Sequence, residues 1–174
     1  MKLVRRAAKA GVKFGGYVKG SAHKGLTAYT DYGTKTVYVP HTQTDPILAM
    51  SDFVFELRNA MQAGKLSTTW SKAKKRQINA YQFAYNNVAI EVESALSTGL
   101  IWSQSPLRRR MGRRQRKKYD KANYLSMYLA YKSGKKTKDQ LIKQALKRTY
   151  KSGIFRGWTV EKKFTEQYKS IPRP

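Results

Sequence analysis

The chain has 174 residues and a net charge of +26, from 36 lysines and arginines against 10 acids, and it contains no cysteine. Disulfides, thiolate zinc sites and cysteine nucleophiles are thereby excluded, and no segment is apolar for long enough to span a bilayer. A partner with regular negative charge is the simplest account of this balance, and nucleic acid fits better than an anionic membrane surface.

The charge is uneven. Residues 1–30 carry +7 with no acid, 31–66 carry −1, 67–105 carry +2, 106–136 carry +11 and 137–174 carry +7. A packed core is expected in the near-neutral middle and contact with a polyanion in the flanks.

The first residues, MKLVRRAAKAGVKFGG, lack the apolar stretch of about 7–15 residues that a secretory signal needs. They are basic and acid-poor, as transit peptides are, but the same composition continues past any plausible cleavage point. Glycines 11, 15, 16, 20, 25 and 33 argue against a continuous helix in residues 1–44. A brief helix over Lys2–Ala10 and one short strand over Thr34–Val39 (TKTVYV) are compatible with the residues there. Interspersed aromatics and lysines such as Phe14, Tyr17, Lys19, Lys24 and Tyr29 suggest a flexible basic arm that orders on a polyanion.

Asp45-Pro46 is a helix start, with Asp45 as cap and Pro46 at the first helical position. Ile47, Met50, Phe53, Val54, Leu57, Ala60 and Met61 follow at helical spacing, and Gly64 is a natural stop. A second helix is expected from Ser67 or Thr68 to about Thr98, ended by Gly99. It would place Lys72, Lys74, Lys75 and Arg76 in its first turns, against its own dipole, which is better explained by an external phosphate.

Leu100-Ile101-Trp102 is an apolar patch expected to anchor the run that follows. Ser105–Lys118, SPLRRRMGRRQRKK, holds eight cations and no acid. Like charges at that spacing repel unless a polyanion neutralises them. Pro106 breaks any continuing helix, and the run itself reads equally as helical or as extended along a groove. Tyr119–Ser133 predicts a third helix, ended by Gly134. Thr137-Lys138-Asp139-Gln140 has the capping-box form for a fourth, and Thr159 caps a short fifth that Pro172 ends. The expected architecture is all-α: a bundle of three to five helices over 45–174, with a basic inter-helix segment at 105–118 and an extended basic N-terminal arm over 1–44.

No catalytic constellation emerges. His23 and His41 are the only histidines, and neither has a second at helical spacing, so no metal site is expected. Asp45, Asp52 and Glu56 would be the candidates for a Mg²⁺-dependent nuclease, but they read first as ordinary acids beside a cap. Gly-Lys-Thr-like stretches at Gly33 and Gly134 lack the upstream glycine of a phosphate loop. Tyr81, Tyr85, Tyr124, Tyr128 and Tyr131 fall at helical spacings, as amphipathic core residues more than as base-stacking platforms. No cofactor and no enzymatic activity are expected.

The candidate nucleic-acid-binding residues are therefore the cations of three stretches. The arm contributes Lys2, Arg5, Arg6, Lys9, Lys13, Lys19 and Lys24. The second helix contributes Lys72, Lys74, Lys75 and Arg76. The run contributes Arg108, Arg109, Arg110, Arg113, Arg114, Arg116, Lys117 and Lys118. No zinc-finger, RRM or homeodomain pattern accompanies them, so spread-out charge predicts sequence-independent packaging with counterion release.

The glycine-dotted basic arm, the helical bundle with further basic stretches and the cysteine-free, tyrosine-rich chain resemble the major capsid proteins of filamentous and rod-shaped archaeal double-stranded DNA viruses. That resemblance implies a helical subunit pairing into homo- or heterodimers with a related chain. It also implies wrapping of linear duplex DNA inside a helical virion, with an envelope possible but not indicated. The run at 108–118 departs from that layout by lying between helices. The competing class is a ribosomal or other cytoplasmic ribonucleoprotein component that binds structured RNA.

Overall fold

A computed structural model describes residues 2–18, 28–40, 44–151 and 155–172. Among these residues the chain forms nine helices and three strands. It is mostly helical, and the expectation of a purely α-helical fold is corrected by a small sheet near the N-terminus. No helix among the described residues is long and apolar enough to cross a membrane. The chain divides into two compact units. The first comprises Met1–Ala63 and Glu93–Lys132, the second Gly64–Val92 and Ser133–Pro174.

In the first unit, α1 (Lys2–Lys9) leads through Gly11, at φ +75°, into β1 (Lys13–Val18). β2 (Tyr29–Asp31) and β3 (Thr36–Pro40) follow. The order is β1-β3-β2, with β1 parallel and β2 antiparallel to the central β3. The turn between β2 and β3 is closed by Asp31, whose Oδ1 accepts from the N–H groups of Gly33 and Thr34 at 2.9 and 3.3 Å. The TKTVYV strand expectation corresponds to β3. β1 and β2 escaped the sequence reading because a glycine pair interrupts one and the other is three residues long. The parallel β1–β3 register breaks between Phe14 and Tyr17, where Gly15 and Gly16 lie, and Gly16 has φ +85°.

The sheet buries Val37 against α2 (Pro46–Met61), whose Leu57 and Ala60 join Ala7 of α1 in one apolar cluster. Thr30 locks β2 to α2 by donating to the Glu56 carboxylate at 2.6 Å and to its carbonyl at 2.9 Å. Asp45 caps α2 as expected, accepting from Ile47 and Leu48 N–H at 3.1 and 3.3 Å. Gly64 does not stop it: α2 ends at Met61 on a Gln62 cap, and α3 (Ala63–Lys74) starts at once.

The single long helix expected over 67–98 is two helices. α3 ends at Lys74, and α4 (Ala80–Ser103) begins after a break in which Arg76 adopts the left-handed conformation at φ +54°. Asn79 and Gln82 open α4 by exchanging side-chain-to-backbone hydrogen bonds, each 2.9 Å. Gly99, expected as a stop, lies inside α4. It is packed so closely that an added Cβ would sit 2.5 Å from the Cβ of Tyr128 and 2.9 Å from the Tyr124 carbonyl oxygen.

Within the second unit, Phe83 of α4 is fully buried and contacts the rings of Trp70, Phe164 and Tyr168 at 5.0, 6.3 and 5.8 Å. Leu141, Ile142 and Leu146 of α8 (Lys138–Leu146) are also core. Thr137 forms the expected capping box with Gln140, and Thr159 caps α9 (Val160–Ser170) by accepting from Lys162 N–H at 3.1 Å. α8 ends at Leu146.

Candidate nucleic-acid interface

The arginine run folds as helix, the alternative the residues had left open. Pro106 starts α5 (Pro106–Arg110), and Gly112 precedes α6 (Arg113–Ala122). The third helix expected over 119–133 is therefore divided: α6 takes its first residues, Tyr124 turns the chain at φ +57°, and α7 runs Leu125–Lys132. All of this belongs to the first unit.

Two acids hold this basic segment in place. Asp120 accepts a two-point fork from Arg108, Nε to Oδ1 at 2.7 Å and Nη2 to Oδ2 at 3.0 Å, and a third bond from Trp102 Nε1 at 2.8 Å. Trp102 is thus an anchor, whereas Leu100 and Ile101 of the expected apolar patch are exposed. Burial pushes the Asp120 carboxyl up, but the bonds from Arg108 and Trp102 and the charges of Arg108 and Arg116 outweigh it. The result is a pKa below the usual carboxylate range. Asp45, while capping α2, also accepts from Lys118 Nζ at 3.0 Å and from Tyr119 Oη at 2.9 Å. Burial raises its pKa, and those bonds, with the two capping N–H groups, bring it net down. Its hydrogen bond to Lys118 raises that ammonium.

The other cations of the run have different settings. Arg116 donates through Nη2 to the Met111 carbonyl at 2.9 Å, while its buried Nε has no hydrogen-bond partner among the described residues. A buried donor left unpaired costs about 1–3 kcal/mol. Arg109 reaches the Gln104 carbonyl at 3.4 Å. Arg109, Arg110, Arg113, Arg114, Lys117 and Lys118 are all exposed.

Arg113, Arg116, Lys117, Asp120 and Lys121 fall at three- and four-residue steps and so share one face of α6. Together with Arg108 they line a cleft of about 460 Å³, whose remaining wall is Leu125, Ser126 and Leu129 of α7. Five cations thus face one compensated acid beside an apolar wall. Lys121 was missed in the sequence because it lies past the run; the spacing 113-117-121 was the available signal.

The N-terminal candidates sit on regular structure. Arg5, Arg6 and Lys9 are exposed on α1 and Lys13 is exposed on β1. Lys2 opens α1, and its side chain lies outside the described residues, as do Lys19 and Lys24 entirely, together with His23 and His41. The basic extended-arm reading of 1–44 therefore meets a helix and three strands in its described parts.

Lys72, Lys74, Lys75 and Arg76 are exposed, but their placement reverses the argument made for them. Lys72 and Lys74 lie in the last turn of α3 and Lys75 and Arg76 just past it, where cations are favoured by the helix dipole, not at an N-terminus. Arg76 donates through Nη2 to the Ile171 carbonyl at 2.9 Å and lies 4.9 Å from the centre of the Tyr168 ring, all within the second unit. Lys162 and Lys163 of that unit, also outside the sequence-based set, sit over aromatic rings. Lys162 is 4.7 Å from Trp158, and Lys163 is 5.2 Å from Phe164.

Among the described residues no group of three or more His, Cys, Asp or Glu side chains is placed to hold a metal ion. Asp45 and Glu56 are engaged separately, one at the α2 cap and one at Thr30. Tyr85 donates to Asp139 at 3.0 Å and Tyr168 to the Ile78 carbonyl at 2.8 Å, the amphipathic use expected of tyrosine. No family model, curated protein or solved structure matches the chain.

Proposed function

We propose that this protein is a sequence-independent nucleic-acid-binding structural protein, a capsid or nucleoprotein subunit that packages linear double-stranded DNA in a helical filament. The observation that carries the reading is the α5–α6 segment. It concentrates nine cations on a folded, anchored scaffold and commits only Arg108 and Lys118 to acid partners in the ion pairs seen. Exposed cations on rigid helices neutralise phosphates without the ordering cost of a disordered tail. On this reading the protein acts in the virion, pairs with itself or a related chain, and needs no cofactor or catalysis.

Purified, nuclease-treated protein mixed with linear duplex DNA, beside a sample with structured RNA, tests this by negative-stain electron microscopy and by binding at several salt concentrations. Regular filaments on DNA are expected. If about 6–10 phosphates are contacted, affinity should fall about 10³–10⁵-fold between 50 and 200 mM salt. Preference for RNA without polymerisation would move the protein to the ribonucleoprotein class. Salt-insensitive binding would remove the backbone-neutralisation account.

A further inference from the structure

We propose that the cleft bounded by α5, α6 and α7 is a discrete seat for one backbone nucleotide. The phosphate lies on the Arg113–Arg116–Lys117 face, and the sugar lies against Leu125 and Leu129. The inference rests on the nucleic-acid reading above and deepens it, by naming the chemical unit that one site takes.

Four observations converge on it. Arg116 and Lys117 lie one turn after Arg113 on α6, and all three line the same cleft. Arg116 keeps a buried Nε–H with no partner among the described residues, a donor that an entering anion's oxygen can satisfy after a small turn of the guanidinium. Gly112 offers no side-chain cap, so by helix geometry the first N–H groups of α6 lack acceptors at an end that favours negative charge. Asp120, which would repel a phosphate, has its two oxygens held by Arg108 and Trp102.

The opposite wall decides the class of ligand. Leu129 is 48% exposed and Leu125 is buried beside it. A bare phosphate would leave that apolar wall in water, and a cleft of about 460 Å³ is in the range of small-molecule sites. A sugar-phosphate unit matches both halves. It is also the part of a nucleotide that is the same in every sequence.

The test is a titration of the full chain, followed by NMR or calorimetry, with dAMP, dCMP, inorganic phosphate and deoxyadenosine, and with duplex DNA on the same samples. One-to-one saturable binding of dAMP and dCMP is expected, equal within about twofold, and at least about threefold tighter than phosphate. Deoxyadenosine should not bind. Leu129→Glu, a change at an exposed position, should weaken dAMP about tenfold. Lys135→Ala, the same change in net charge at a residue that does not line the cleft, should matter less than about twofold. Arg116→Lys keeps the charge, loses the planar fork and should weaken dAMP about fivefold.

The seat is overturned by non-saturable binding, by equal effects of Leu129→Glu and Lys135→Ala, or by phosphate binding as tightly as dAMP. If any of these occurs while duplex DNA still binds, only the seat falls. If the parent protein fails to bind duplex DNA, the reading of function falls with it.

Discussion

Arg108 and Asp120 meet through two parallel hydrogen bonds of 2.7 and 3.0 Å, each side chain about a quarter exposed. The pair ties α5 to α6, and Trp102 ties both to the end of α4. Asp120→Asn should therefore lower stability by about 1–2 kcal/mol, less than for a fully buried charged pair because water screens part of it. Urea denaturation of parent and variant checks this. An unchanged midpoint would show that the basic segment is held by something other than this fork.

Stability should fall in acid, with a definite sign. Asp45, Asp120 and Asp139 all titrate below their ordinary value in the folded chain, while an unfolded aspartate titrates near pH 4. Their contribution is complete above the unfolded pKa. It is lost as pH drops toward the folded ones, because there the unfolded chain binds more protons. Their share of the melting temperature should stay level from neutrality to about pH 5 and then fall, opposed by Glu91, whose carboxyl burial pushes up. In Asp120→Asn the fall should be shallower. An acid fall no shallower in Asp120→Asn than in the parent would contradict these carboxylate networks.

Arg76 and Arg114 are both exposed cations, yet their substitution should have opposite signatures. Arg76→Ala removes the bond to the Ile171 carbonyl and the Tyr168 contact, and should cost about 1–2 kcal/mol of stability. The dependence of binding on salt should be unchanged. Arg114→Ala should leave the melt unchanged and reduce the slope of log K against log salt by about 1, the signature of one phosphate contact. Equal slopes for Arg114→Ala and the parent would take Arg114 out of the interface.

Gly99→Ala is informative because the general rule and the local geometry disagree. Alanine is favoured over glycine in a helix interior by about 1 kcal/mol. Here the new methyl would collide with Tyr128 and the Tyr124 carbonyl. Overpacking of that kind costs about 1–3 kcal/mol, so the variant should be destabilised in thermal melts. A gain in stability would mean that α7 can move away from α4 at little cost.

Local chemistry in the chain was sufficient for several elements. Asp45-Pro46, Thr137 with Gln140, and Thr159 are helix starts because a side-chain oxygen three residues or fewer from the N–H it serves needs nothing distant. The β3 strand was legible from its β-branched and aromatic run, and so was the chain's excess of positive charge, whereas Trp102 is an anchor through Asp120, eighteen residues away. The fate of particular cations was not. Whether Arg108 and Lys118 are free depends on Asp120, twelve residues away, and on Asp45, seventy-three residues away. The break before α4 combines a local signal, Asn79 paired with Gln82, with a distant one, Arg76 reaching Ile171, ninety-five residues on. Gly99 passes through a helix because Tyr128 leaves no room for more. Strand β1 exists because β3 lies beside it, a pairing that two adjacent glycines conceal. Sequence alone determined how much positive charge there is and where its helices can begin; the tertiary structure decided which charges are compensated, and so left α6 with an exposed cationic face beside an apolar wall.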